Sequence, residues 1–367
     1  MSWRGARFAL LCGAWTAVSG LAVAQEAGIQ EADLPSMQVL QCQTACGKWT
    51  DPKPIGVHHG HFPSAEEHAA ESHRSDAFVL IRFTITAEGK VENPVVERRV
   101  GPQDFADQSL EAVKDWRYEP ATANGVPVAR YNWYAKINYQ SSSGQGARNT
   151  VYDACRTARE LIGKGKYAEA NAVLIPILSL ERLNFYERSM VSLLLAVNDM
   201  GLKDYLSAQE RIEDATIFDG WFLPKAAFVE AIRLQIQIDT MMRQYSDALD
   251  RFELLKKRTD ITKGDHEAAL IDKINVALAD PSPILVIGRI PPVGYLSLWH
   301  HALLRRNFTF PRVDGKLERF ELSCDQQKIE SAITAKAEWH VPKNWSNCGL
   351  NVYGSPGATF VVAETND

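Results

Sequence analysis

The sequence predicts an exported, multidomain α+β protein, because three regions of its 367 residues carry three different patterns. Residues 61–140 contain strand-like alternation of apolar and polar side chains on both sides of one helical pattern. Residues 149–280 place apolar side chains at three- and four-residue spacing, which is typical of amphipathic helices. Residues 284–367 consist of short β-type runs separated by Pro, Gly and Asn. We therefore expect a mixed domain, a helical repeat region and a small β-rich domain, in that order.

Residues 1–24 have the pattern of a secretion signal. A short basic start precedes an apolar stretch over residues 8–24, and Ala22 and Ala24 fit the small-x-small site of a signal peptidase. This predicts a mature chain that begins at Gln25 in the periplasm. The alternative is an uncleaved inner-membrane anchor, although the apolar stretch is at the short limit for a spanning helix. Without such an anchor, membrane contact is expected to be only peripheral.

The mixed domain is predicted to begin with a β-hairpin. Residues 78–86 alternate so that Phe83 and three other apolar residues share one face of a strand. Gly89 lies in the following turn, where glycine tolerates a positive φ. The second strand, residues 91–100, contains Pro94, which predicts a bulge or an edge position.

A helix and a third strand complete this domain. Asp104 is expected to cap a helix that runs to about Trp116, and Pro120 cannot continue that helix. A turn is expected at Gly125, which follows an asparagine. The third strand, residues 130–140, alternates aromatic or aliphatic residues with polar ones. The predicted order of elements is therefore ββαβ.

In this order, the segment resembles the C-terminal domain of the TonB energy-transducer family. The matching pieces are Phe62-Pro63, Leu80 to Ile85, Gly89-Lys90-Val91, Gly101, Ser109 to Val113, Trp116 to Ala121 and Gly125 to Val128. The most specific piece is Trp116 to Ala121, which reads Trp-Arg-Tyr-Glu-Pro-Ala. The resemblance covers residues 61–140, which is the size of one small domain.

The resemblance implies binding partners and no chemical reaction. In the family, this domain pairs by strand addition with a short segment of an outer-membrane transporter, so envelope proteins and a role in transport are implied. An exposed edge strand offers backbone N–H and C=O groups to an extended peptide. By position, the third strand is the candidate edge. Its polar side chains are the candidate partner-binding residues Arg130, Asn132, Tyr134, Lys136 and Asn138.

The sequence also departs from a complete energy transducer. In the family, an N-terminal anchor carries a histidine that engages the energising complex, and a long proline-rich spacer follows. Residues 1–24 contain no histidine. Residues 25–60 are short and poor in proline, and they predict an extended lead-in with little structure of its own. The alternative function is therefore an envelope scaffold or adaptor without energy transduction.

Three similar segments recur in the helical region. They contain Tyr167, Tyr205 and Tyr245, which are 38 and 40 residues apart, and each tyrosine is followed three residues later by an alanine. The recurrence resembles tetratricopeptide-type helix pairs, whose stacked helices often present a concave surface to a partner. A plain helical bundle that serves as a spacer is the alternative.

The cysteines of the mature chain are disulfide candidates, because exported proteins meet oxidising conditions. Cys324 and Cys348 both lie in the β-rich region and are predicted to pair. Cys42 and Cys46 are close in sequence and are predicted to close a small loop. Cys155 is then left over and is expected to be a buried thiol in a helix.

The remaining residues argue for few kinds of chemistry. Five of the nine histidines lie between His58 and His73, and imidazole suits zinc, copper or nickel. A metal-handling protein is therefore a further alternative, but we favour a solvated segment because no recognised ligand spacing is present. Nucleophile, phosphate-loop and zinc-protease motifs are missing, so we expect no enzyme and no cofactor. A net charge of −5 without a basic run argues against nucleic-acid binding.

Overall fold

The protein is described here from a computed structural model. It describes residues 49–56, 76–101, 103–139, 146–180, 183–216, 220, 222–262, 264–291, 298–325, 327–334 and 337–366. The secretion signal, the Cys42–Cys46 pair and the clustered histidines lie outside these residues. What the sequence predicts for these three features therefore stays a prediction.

The first domain is built around an antiparallel sheet with one helix packed on it. Its elements are β1 (Trp49–Thr50), β2 (Lys53–Pro54), β3 (Ala77–Ile85), β4 (Val91–Val100), α1 (Gln103–Lys114), β5 (Tyr118–Glu119), β6 (Ala121–Ala123), β7 (Val126–Val128) and β8 (Arg130–Tyr139). The sheet has the order β4-β3-β8, and α1 lies against β3 and β4. The main elements β3, β4, α1 and β8 follow the predicted ββαβ order.

One face of β3 forms the core of this domain. Its side chains Val79, Ile81, Phe83 and Ile85 are all buried, and they belong to the same apolar cluster as α1. Phe83 packs edge-to-face on Trp116, with ring centroids 6.4 Å apart. Burial of each such side chain contributes about 1.5–3 kcal/mol. This face is the one that the alternation of residues 78–86 predicts.

Two glycines allow the tight turns of the first domain. Gly89 has a φ of +76°, and a Cβ at this position would lie 1.9 Å from the carbonyl oxygen of Tyr118. Gly125 follows Asn124, and both have positive φ, at +80° and +54°. They join β6 to β7 in the conformation of a type I′ turn. Pro120 lies between β5 and β6, well after the end of α1.

The boundaries of α1 differ from the predicted ones. The helix begins at Gln103, so Asp104 lies inside its first turn and is not the cap residue. A carboxylate in the first turn still interacts favourably with the helix dipole. The helix ends at Lys114, so Trp116 lies beyond α1 while its side chain is buried beside β3.

Both outer strands of the sheet contain a β-bulge. The pairing of β4 with β3 has two register shifts, and the one at Asn93, which has a φ of +51° beside Pro94, confirms the predicted irregularity. The bulge in β8 has Asn132 at a φ of +54°. It shifts the register, so the predicted alternation along β8 holds from Trp133 to Tyr139 and breaks before it.

Part of the lead-in pairs with the first domain. Strand β1 pairs with β6, and β2 pairs with β5, both antiparallel. The two pairs are continued by a hydrogen bond of 2.8 Å from the N–H of Ile55 to the carbonyl of Arg117. The hydroxyls of Thr50 and Thr122 lie 2.7 Å apart. The described lead-in thus owes its extended conformation to strand pairing.

The middle region is helical, as predicted. Its helices are α2 (Asn149–Gly163), α3 (Tyr167–Leu178), α4 (Phe185–Leu202), α5 (Tyr205–Ala215), α6 (Lys225–Met242), α7 (Tyr245–Arg258) and α8 (His266–Ala279). Helices α2/α3, α4/α5 and α6/α7 form successive antiparallel hairpins. Cys155 is a buried thiol in α2, as predicted.

The three hairpins share the same turn. A residue with positive φ ends the first helix of each hairpin, namely Gly165, Lys203 or Arg243. The next residue donates its N–H to the carbonyl five positions earlier, as in a Schellman motif. Ala170, Ala208 and Ala248 are completely buried where the helices cross. The predicted recurrence is confirmed by these turns, whereas its assignment to the tetratricopeptide type stays a prediction.

The C-terminal region is a sandwich of two antiparallel sheets. Its strands are β9 (Ile284–Arg289), β10 (Leu298–Ala302), β11 (Asn307–Asp314), β12 (Leu317–Ser323), β13 (Lys328–Ala332), β14 (Glu338–His340), β15 (Gly349–Gly354) and β16 (Thr359–Thr365). The sheet orders are β10-β15-β12-β13 and β14-β11-β16-β9. Aromatic side chains fill the space between the sheets, among them Phe308, Phe320 and Phe360.

The predicted disulfide in this sandwich is confirmed. Ser323 in β12 pairs with Gly349 in β15. Cys324 and Cys348 follow as the next pair, with Cα atoms 4.0 Å apart. The bridge therefore fixes the register of two central strands, and in the chain-entropy model it contributes about 3 kcal/mol.

Candidate functional site

The candidate edge strand β8 lies at one side of the sheet, beside β3. It pairs antiparallel with β3 from Ala77↔Tyr139 to Ile85↔Arg130. Among the residues that the structure describes, no strand pairs with the other side of β8. Because an antiparallel strand alternates the direction of its N–H and C=O groups, about half of the backbone groups of β8 point away from β3.

The predicted partner-binding residues of β8 have varied surroundings. The guanidinium of Arg130 lies 2.9 Å from Oδ1 of Asp325 and 3.6 Å from the carboxylate of Asp51. Oδ1 of Asn132 accepts a hydrogen bond of 3.4 Å from Arg82. Side chains at the start of β8 therefore bind other parts of this chain.

The remaining three predicted residues are all partly buried. Burial raises the pKa of the Tyr134 phenol well above its usual value. Oδ1 of Asn138 is buried and has no hydrogen-bond partner within the described part of the chain. Lys136 lies between these two residues along the same strand and pairs in register with Leu80. This stretch of β8 therefore offers no fully exposed side chain to a partner.

The face of the first sheet that points away from α1 is covered by contacts of Arg82. Arg82 lies on β3, on the opposite side from the α1 core, and it is only 5% exposed. Its Nε forms an ion pair with Glu97 on β4. Its Nη1 lies 2.8 Å from Oε1 of Glu321, and its Nη2 donates to the hydroxyl of Tyr353 at 2.9 Å. The guanidinium thus bridges the first sheet and the C-terminal sandwich.

The charges in this network support each other. Burial alone lowers the pKa of Arg82, but the neighbouring carboxylates of Glu97 and Glu321 outweigh it and raise that pKa. Burial likewise opposes ionisation of Glu321, yet Arg82 and Lys328 hold its pKa below the ordinary value. Asn351 also donates to Glu321, at 3.1 Å. The ionised forms are therefore favoured on both sides of the contact between the domains.

Both of the other domains contact helix α5 of the helical region. Arg98 from β4 pairs with Asp214 and lies 3.7 Å from Glu213. From the other side, Arg289 at the end of β9 lies 2.8 Å from Glu210. An acidic helix face therefore holds one arginine from each flanking domain.

Apolar packing accompanies these charged contacts. Phe78 and Val100 of the first sheet share a buried cluster with Phe185 of α4 and with Phe222. The rings of Phe185 and Phe222 are 4.6 Å apart. Both faces of β3 are therefore buried. The near-continuous apolar run of residues 78–85 is the sequence signal for two-sided burial.

The described residues contain no group of three or more His, Cys, Asp or Glu side chains arranged to hold a metal ion. In the same residues, no helix has both the length and the apolar character needed to cross a bilayer.

Comparison with known proteins supports one domain assignment. Residues 68–140 match the family model described as Gram-negative bacterial TonB protein C-terminal. No curated protein matches the chain. The matched segment contains β3, β4, α1 and β8, which are the elements that carry the candidate edge. Residues 68–140 are therefore similar to the TonB C-terminal domain, and the described elements of this segment lie beside a helical region and a β-sandwich.

Proposed function

We propose that this protein binds partners in the Gram-negative cell envelope by strand addition to β8. It acts in the periplasm and catalyses no reaction. The family match of residues 68–140 supports an envelope role. The observation that supports strand addition is the position of β8, which pairs with β3 on one side only among the described residues.

The covered face of the sheet narrows the way in which a partner binds. Arg82 and its partners occupy the face away from α1, while α1 occupies the other face. The accessible backbone of β8 is then the part of the domain that an extended peptide is able to use. Each backbone hydrogen bond contributes about 0.5–1.5 kcal/mol net, so several are needed for a specific complex. An outer-membrane transporter segment is the partner that the family resemblance favours.

A second candidate function is an envelope scaffold without energy transduction. It is favoured by the contacts between the domains, since arginines from both flanking domains meet α5 and Arg82 meets Glu321. In this arrangement the TonB-like domain is one wall of a larger particle. The partner then binds the domain as a fixed surface of this particle, and the domain transmits no mechanical force to it.

Site-specific crosslinking in the native envelope separates these candidates. A photoreactive amino acid replaces Lys136 or Asn138 on β8, and matched variants carry it at Glu111 on the exposed face of α1 or at Lys257 on α7. Mass spectrometry then identifies the attached peptide. An extended transporter segment attached only at β8 supports the transport function, and another envelope protein at β8 supports the scaffold. Equal labelling of β8 and the control positions contradicts strand addition.

Hydrogen exchange gives an independent test of the pairing mode. Backbone amides of β8 that point away from β3 are expected to become protected when the crosslinked partner peptide is added. A partner that binds only side chains leaves these amides unprotected, which overturns the strand-addition proposal. The amides of α1 are an internal control, because a peptide beside β8 does not contact that helix.

Export is a separate part of the proposal. N-terminal sequencing of the protein isolated from its native cells is expected to show Gln25 as the first residue. A first residue at Met1 contradicts cleavage and supports the membrane-anchor alternative.

A further inference from the structure

Strand β13 is an uncovered edge of the C-terminal sandwich, whereas the other edge strands of its two sheets are covered or short. On β9, the carbonyl of Ile287 accepts a hydrogen bond of 3.1 Å from the side chain of Gln244, which directly precedes α7. Strand β10 packs against α7, and β14 has only three residues. Among the described residues, β13 pairs with β12 alone, so its outer backbone groups are open to another strand.

The two faces of β13 differ in their chemistry. Residues that lie opposite each other in an antiparallel pair share one face of the sheet. Ile329 lies opposite Leu322, so it is on the face that forms the aromatic core of the sandwich. Glu330 lies opposite Glu321, so Glu330 and Lys328 are on the other face, which the first domain contacts through Glu321. The edge thus presents one aliphatic side chain between two side chains of opposite charge.

The apolar core of the sandwich reaches the surface at this edge. Ile329 is 41% exposed, although Leu322 beside it on β12 is buried. Ile333, just beyond β13, and Trp339 on β14 are only partly buried against the same core. The ring of Trp339 stacks on Phe308, with ring centroids 5.5 Å apart. An exposed aliphatic side chain on a free strand edge is a place where another strand associates.

The charges of β13 are only partly balanced within one copy of the chain. Glu330 faces Glu321 directly across the strand pair, and like charges in this position are unfavourable. The carboxylate of Glu321 is held by Lys328 at 2.7 Å and by Arg82. Glu330 is reached diagonally by Arg319, at 2.5 Å. A lysine directly opposite Glu330 on a further strand would complete this row of charges.

We propose that β13 pairs with β13 of a second copy of this chain, antiparallel about a two-fold axis through Ile329. In this register Ile329 lies opposite the partner's Ile329, and Lys328 lies opposite the partner's Glu330. An axis through Lys328 would place two lysines opposite each other, and an axis through Glu330 would place two glutamates there. Opposite charges stabilise a cross-strand pair and like charges destabilise it, so the axis through Ile329 is favoured.

The sequence of β13 is complementary to itself in this register. The charges alternate in sign from Glu321 through Lys328 and the partner's Glu330 to the partner's Arg319. The exposed aliphatic side chains of the two cores meet at the axis. An unrelated extended peptide must supply the same complementary pattern, whereas a second copy of this chain always carries it. The charge pattern therefore favours a second copy as the occupant of this edge.

The proposed dimer fixes how the domains are arranged. Two four-stranded sheets become one sheet of eight strands, and the axis is perpendicular to that sheet. The first domain meets the sheet on the face of Glu321, so both first domains lie on the same side of the dimer. This goes beyond the proposed binding at β8, because it presents two candidate edges to one partner surface. A five-residue strand buries a small area, so we expect weak, concentration-dependent association.

Sedimentation of the full mature chain over a wide range of protein concentrations tests this proposal. The unchanged protein is expected to form dimers as the concentration rises. Lys328→Glu and Glu330→Lys each place two pairs of like charges across the axis, so each variant alone should dimerise at least about tenfold more weakly. A one-to-one mixture of the two variants has opposite charges at both pairs and should recover the dimer. A monomeric unchanged protein, or a mixture that associates no better than its components, overturns the proposal.

The matched control reverses a similar pair of charges away from β13. Lys316 and Glu318 are exposed, opposite in charge and two residues apart, and their charged groups lie 3.9 Å from each other. Lys316→Glu and Glu318→Lys should dimerise like the unchanged protein, both alone and mixed. Losses equal to those of the β13 variants would show that dimerisation follows net charge and not the register of β13, which contradicts the proposal.

A second pair of variants leaves the charged network around Glu321 in place. Ile329→Lys and Ile329→Glu each put like charges opposite each other at the axis, whereas their mixture puts opposite charges there. Both should fold, as circular dichroism can verify, because Ile329 is exposed on an edge strand. Dimers that form in the mixture and not in either folded variant support the axis through Ile329. Dimerisation of Ile329→Lys alone, or a photocrosslink from position 329 to an unrelated protein without this rescue, overturns it.

Discussion

Burial acts with opposite results on two ionisable side chains of this protein, Arg82 and Asp239. Arg82 contacts Glu97, Glu321 and Tyr353, and these partners come from two domains. Asp239 in α6 is equally buried, but its Oδ2 has no hydrogen-bond partner in the described structure and lies 3.4 Å from Nε of Arg251. The pKa of Arg82 is raised by its carboxylate partners, so its charge is favoured. The pKa of Asp239 is raised to about 8 by burial, so its charge is disfavoured.

The difference shows which buried charges depend on the docking of domains. The ion pairs of Arg82 exist only when the first sheet and the C-terminal sandwich are in contact. Asp239 instead belongs to a single hairpin, where Asp199 occupies the equivalent position in the preceding one. Burial raises the pKa of Asp199 as well, to about 6. The hairpins therefore contain buried carboxyl groups whose ionised form is disfavoured, and their replacement should leave the contacts between the domains in place.

Replacement of Arg82 is expected to have the largest effect. Arg82→Met leaves the carboxylates of Glu97 and Glu321 buried without their cation, which costs about 3–5 kcal/mol. Urea unfolding should show this loss together with separate transitions for the first domain and the sandwich. The triple variant Arg82→Met/Glu97→Gln/Glu321→Gln should recover much of the stability, because no buried charge is left unpaired. A single variant that unfolds like the unchanged protein would contradict the bridging role of Arg82.

Replacement of Asp239 should act in the opposite direction and depend on pH. The folded protein retains a proton that the unfolded chain releases, because the folded pKa is about 8 and the ordinary value is 3.8. The contribution of Asp239 to stability therefore falls as pH rises through this window. Between pH 5 and pH 7, Asp239→Asn should gain up to about 1.4 kcal/mol per pH unit relative to the unchanged protein.

Thermal melting across pH measures the Asp239 effect. Arg251 remains near Asp247, at 3.8 Å, and burial raises the pKa of the adjacent Glu213 as well. The difference between variant and unchanged protein is therefore the useful quantity. Asp272→Asn, at an exposed position of α8, is the control and should show no pH-dependent difference. A flat difference for Asp239→Asn would show that Arg251 keeps the aspartate ionised.

Much of the fold follows from local patterns in the sequence. Alternation predicts the core face of β3, the tyrosine repeat predicts three hairpins, and Cys324 and Cys348 are correctly paired. These features depend on residues that are close in sequence or on one periodic pattern. The bulge at Asn132 is harder to predict, because it breaks the alternation without a proline or glycine as a signal.

The candidate site is less predictable than the fold. An arginine in an alternating strand usually faces solvent, but Arg82 is buried by Glu321, which lies 239 residues later in the chain. Nothing near Arg82 in the sequence indicates that contact. Contacts between distant segments therefore decide which surfaces remain for partners.

The smallest effect is expected for the charged contact between the first domain and α5. Arg98 and Asp214 form an ion pair that is only partly buried, with side-chain exposures of 22% and 25%. Solvent screens such a pair, so Arg98→Gln should cost no more than about 1 kcal/mol, and the loss should shrink in high salt. Urea unfolding at two salt concentrations measures it. A loss as large as that of Arg82→Met, unchanged by salt, would mean that α5 and β4 dock as tightly as the sheet and the sandwich do.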